Sequence, residues 1–124
     1  MRSITALAVS VVVAGVVYWV GAVIALLAMH GLPLGSPGGP PTRGDLVVHL
    51  SLAIAGAFAG ARLAMRLATH RRASHGLALG VVLGVLVLFG FSKPNNWPEW
   101  FGAAMSTACI LGSLAAAAFS RLRN

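Results

Sequence analysis

Apolar residues dominate four stretches of the chain, at 4–29, 46–68, 76–91 and 97–119, and polar residues gather in the short connections between them. The first stretch runs from Ile4 to Met29 without a charge. A helix needs about 20 apolar residues to cross a hydrocarbon core about 30 Å thick, so this stretch spans with some tilt. The third is the shortest and lies near the lower limit for crossing. The pattern predicts an all-α membrane protein: one domain of four transmembrane helices in an up-down bundle. Arg2 followed by an apolar run has the look of a secretory signal. Signal cores, however, are only about 7–15 residues long, and the run is read as a retained span.

The connections carry their own signals. Residues 30–44 read HGLPLGSPGGPPTRG, and so many prolines and glycines cannot continue a helix. Asp45 follows, and its carboxylate suits the N-cap of the second span, where backbone N–H groups lack partners. Residues 69–75, THRRASH, form a basic turn, and SKPNNWPEW is a polar link into the fourth span.

Composition sharpens the picture. Hydrophobic residues make up 58% and charged residues 9%, against about 25% charged in an ordinary soluble domain. Nine Lys/Arg against two Asp/Glu leave a net charge of +7. No basic face is interleaved with stacking aromatics as single-strand binders require, so nucleic acid is not an expected partner. Basic residues instead collect on the cytoplasmic flanks of membrane spans. With the N-terminus inside, Arg2, Arg62, Arg66, Arg71, Arg72, Arg121 and Arg123 are cytoplasmic, and only Arg43 and Lys93 face out. Both termini are therefore expected in the cytoplasm, and the protein in the inner membrane. Trp97 and Trp100 mark the outer boundary, where an indole buries its body and keeps its N–H wet.

Helical periodicity shows which faces meet. Leu52, Ala53, Gly56, Gly60, Leu63 and Leu67 share one stripe of the second span,. Gly76, Gly80 and Gly84 recur at four-residue spacing on the third, and Gly102, Ser106, Cys109, Ser113, Ala117 and Ser120 form a row on the fourth. Lipid tails are as apolar as leucine, so membrane helices associate by close packing and interhelical hydrogen bonds, which small residues allow. These rows predict tight contacts, either inside one monomer or between copies. Cys109, the single cysteine, reads as a small buried hydrophobe,.

Candidate chemistry is sparse. Asp45 and His49 lie one turn apart and Glu99 heads the fourth span, so the three can share the outer rim, with His30 at similar depth. Such a cluster can hold a cation or pass a proton; equally, Asp45 and Glu99 can cap helices and His49 can make one interhelical bond. At the other rim Arg62, Arg66, His70, Arg71 and Arg72 form a basic patch for anionic lipid headgroups,. His49 and His75 stand near opposite surfaces and cannot share a haem; His30 with His49 can, but no motif supports the pair. Tyr18 and Trp19 read as packing residues of the first span. No GxSxG, HExxH, P-loop or paired-carboxylate motif occurs,, so no cofactor and no enzymatic activity are expected. The leading expectation is a non-catalytic subunit or accessory protein of a membrane assembly, partnered by the lipid bilayer and by further copies or a larger membrane protein. An oligomeric small transporter or channel comes second, and a haem- or quinone-binding subunit third.

Overall fold

The computed structural model describes residues 2–30, 42–91 and 97–123, and shows four helices with no strand among them. They are α1 (Arg2–His30), α2 (Arg43–Leu67), α3 (Arg72–Phe91) and α4 (Phe101–Leu122). At 1.5 Å per residue they measure about 30–44 Å, enough to cross a bilayer core. All four are long and apolar enough to do so, with mean hydropathy between 1.6 for α4 and 2.4 for α1.

Three helix boundaries differ from the apolar pattern, each for a local reason. Helix α2 begins at Arg43, because Thr42 rather than Asp45 is the N-cap. The Thr42 hydroxyl accepts from the Asp45 backbone N–H at 3.2 Å, and the Asp45 carboxylate accepts from the Thr42 N–H at 2.8 Å and its hydroxyl at 2.9 Å. This reciprocal pair is a capping box,. Helix α3 starts at Arg72, well before Gly76, since Arg and Ala favour helix whatever their effect on hydropathy. Its first turn is closed by the His75 N–H donating to the Arg71 carbonyl at 3.3 Å. Helix α4 starts at Phe101, not Trp97, because Pro98 disfavours helical geometry in the residue before it. A turn, Phe101 N–H to Pro98 carbonyl at 2.9 Å, carries the chain into the helix.

Helix α2 is the hub. It packs extensively on α1, α3 and α4; α3 and α4 pack on each other; among the described residues the backbone of α1 approaches α3 slightly and does not approach α4. The arrangement is a triangle of α2, α3 and α4 with α1 laid on its flank. Consistently, 17% of the apolar window of α1 is buried against 56% of that of α4.

The interior has two layers. One holds Phe101, Met105, Ala108 and Cys109 of α4 against Ala53 and Ala57 of α2, with Tyr18 and Trp97 packed beside them. The other holds Ala61, Ala64 and Met65 of α2, Leu79 of α3, and Ala116 and Ala117 of α4, with Leu7 and Val11 of α1 beside them. The start of α1 and the end of α4 thus lie at the same end of the bundle.

The rows of small residues are consumed within the chain. A Cβ on Gly60 would lie 2.9 Å from the Ser10 carbonyl and 2.9 Å from the Ala14 Cβ, and one on Gly56 2.9 Å from the Ala14 carbonyl. On α3, a Cβ on Gly80 would meet Ser113 at 2.7 Å, one on Gly84 the Ser106 hydroxyl at 2.8 Å, and one on Gly76 the Met65 side chain at 3.1 Å. Gly102, Ser106 and Ser113 are buried on α4. Gly112, outside the stripes read from the sequence, faces the Ile54 carbonyl so closely that any side chain would collide.

Candidate functional site

Polar chemistry is segregated to the two ends of the bundle, because the helix middles are built from apolar and small residues. At the end where α2 begins, His49 points inward from the second turn of its helix. Its Nδ1 shares a 2.6 Å hydrogen bond with the Tyr18 hydroxyl of α1. The Trp97 ring meets the imidazole edge-on at 4.9 Å between centroids, and stacks on Phe101 at 4.8 Å with 16° between planes. Phe101 is fully buried. The imidazole therefore sits between two aromatic rings, Tyr18 of α1 and Trp97 of the segment entering α4, with Phe101 behind Trp97.

Of the outer-rim residues read in the sequence, His49 is the one that meets these rings. The Asp45 carboxylate is committed to the capping box with Thr42. Glu99 is exposed in the turn before α4, and no group of three His, Cys, Asp or Glu able to hold a metal ion occurs among the described residues. The side chain of His30, like Lys93 and most of the first connection, lies outside the described residues. Trp97 is half-buried against His49, whereas Trp100 is exposed. Sequence reading took Tyr18 for a packing residue. The signal that it does more was its hydroxyl, the one phenol in the chain, on an otherwise uncharged span.

The other end is basic. Arg62 and Arg66 project from the last turns of α2, Arg72 from the first turn of α3, and Arg121 and Arg123 from the end of α4. Together with Met65, Ala73 and Ser120 they line a pocket of about 320 Å³. Arg62 is half-buried. Its guanidinium lies 5.3 Å from the centre of the Phe119 ring, and that of Arg123 lies 5.5 Å from it. Such cation–π contacts draw the two heads toward the ring, each worth about 0.5–1 kcal/mol at an exposed site.

Compared with protein-family models, with curated proteins and with solved structures, the chain matches none.

The basic patch is thus reshaped. Arg62, Arg66 and Arg72 join the pocket, while His70 and Arg71 are exposed and do not line it. Arg121 and Arg123, read in the sequence only as topological charges, complete it from α4. Arg71 has a different part: with φ of 49° it turns the chain from α2 into α3.

Proposed function

We propose that this chain is a non-catalytic, multi-pass protein of the inner membrane, with both termini in the cytoplasm, acting as a packing subunit or accessory protein of a membrane assembly. One observation carries the reading. The middle of the bundle is closed by direct backbone approach, with neighbouring atoms standing where side chains on Gly56, Gly60, Gly80 and Gly84 would be. Every charged side chain of the described residues lies within two turns of a helix end or in a turn. A solute or proton route would need polar groups at mid-depth. The packing small residues are used within the monomer, so a partner meets the large apolar side chains that remain. These include Val12, Val16 and Trp19 on α1 and Val85 and Phe89 on α3, all exposed. The orientation follows from the arginine-rich end, which the positive-inside rule places in the cytoplasm.

Purification in mild detergent with mass measurement of the intact particle tests this. The expected particle contains further copies or companion membrane proteins. A strictly monomeric particle with no companion, from several detergents, overturns the proposal.

The transporter reading has one observation in its favour, the Tyr18–His49 hydrogen bond between two spans. Flux in proteoliposomes that falls on His49→Ala or Glu99→Gln decides for it and against the accessory role. The haem reading rests on His30 with His49, and the side chain of His30 lies outside the described residues.

A further inference from the structure

We infer that the arginine-lined pocket binds a phosphate group, carried on a lipid headgroup or as a free ion. Five arginines from three helices line it. The chain has only two acidic side chains, Asp45 and Glu99, and both stand at the opposite end of the bundle. The counter-charge must therefore come from outside the protein's own side chains. Scattered surface arginines would simply spread into water. These line one pocket, and the Arg62 and Arg123 guanidiniums also lie over the Phe119 ring.

The chemistry favours phosphate over a singly charged carboxylate. A guanidinium presents a planar fork that matches two phosphate oxygens at once. Five arginines lining one space call for an anion with several oxygens and more than one charge. A volume of about 320 Å³ lies at the small end of ligand sites, enough for a compact headgroup. The site is also placed for a lipid. Arg62 lies five residues from the end of α2, about 7–8 Å along the axis at 1.5 Å per residue, and Met65 and Ala73 give the pocket an apolar side suited to an acyl chain.

The test uses the full chain in phosphatidylcholine nanodiscs, with and without phosphatidic acid, and the variants Arg62→Gln, Arg121→Gln and Arg71→Gln. The last removes the same charge outside the pocket. If the source is lipid, native mass spectrometry of particles released from the discs finds phosphatidic acid retained by wild type. Retention then falls about tenfold for each pocket guanidinium removed, the loss expected for one charge-assisted hydrogen bond. If the source is a free ion, inorganic phosphate raises the unfolding midpoint saturably in discs without phosphatidic acid. Chloride at equal ionic strength does not, and Arg62→Gln abolishes the rise. Arg71→Gln matches wild type in both arms. Should Arg62→Gln fail to fold, the exposed Arg123→Gln carries the same comparison. The inference is overturned if neither probe distinguishes the pocket variants from wild type, or if Arg71→Gln reproduces their losses.

Discussion

The Tyr18 hydroxyl and His49 Nδ1 lie 2.6 Å apart, joining α1 to α2 by a side-chain hydrogen bond inside the bundle. Among the described residues the backbone of α1 runs close to α2, only slightly along α3 and not along α4, so its attachment rests mainly on the α2 face. Removing the hydroxyl by Tyr18→Phe is expected to cost about 0.6 kcal/mol and at most about 1.7 kcal/mol, the mean and maximum for interhelical hydrogen bonds in membranes. His49→Ala is expected to cost more, because Trp97 also loses the edge it packs against. A double-mutant cycle in mixed micelles checks the pair. Additive losses would show that the two side chains are merely neighbours.

Where α3 crosses α4, Gly80 faces Ser113 with no room between them. A Cβ there would lie 2.7 Å from both the Ser113 Cβ and its hydroxyl, and neither is the end of a flexible side chain. Gly80→Ala must push the helices apart, and the expected loss is about 1–3 kcal/mol, as for other overpacked interiors. Adding Ser113→Gly should recover much of it. The Ser113 hydroxyl is buried and has no hydrogen-bond partner among the described residues, so Ser113→Ala alone is expected to leave stability equal or raise it by about 1 kcal/mol. Reversible unfolding of the four proteins reads all of this. Destabilisation by Ser113→Ala would mean that the hydroxyl has a partner.

What the sequence reveals here follows from which forces act locally. The four helices are legible because bilayer thickness alone dictates long apolar runs, and the row Gly102, Ser106, Cys109, Ser113 and Ala117 because helical period puts it on one face. All five are buried. The end of a hydropathic run does not mark the end of a helix, so the start of α3 among basic residues escaped the pattern. Which helix faces which is a tertiary fact. The meeting of Tyr18 with His49, and of Arg62 with Arg121 and Arg123 around one cavity, joins residues about 30–60 positions apart, which no local spacing records.

Arg71 holds a left-handed turn between α2 and α3. Helix α2 stops at Leu67, Ala68 is extended with its N–H on the Ala64 carbonyl, and Arg71 with φ of 49° redirects the backbone before α3 begins. Left-handed geometry costs an L-residue about 1–2 kcal/mol through contact of Cβ with the following carbonyl. Glycine has no Cβ to make that contact. Arg71→Gly is therefore expected to stabilise the protein by about 0.5–1 kcal/mol, after allowing for the greater freedom glycine gives the unfolded chain. Arg71→Ala is the reference, since it removes the same charge but keeps Cβ, and Arg71→Val should be worse than either because β-branched residues fit this region poorly. Unfolding midpoints in one detergent mixture rank the series. Glycine no more stable than alanine would show that the turn relaxes without strain at this position.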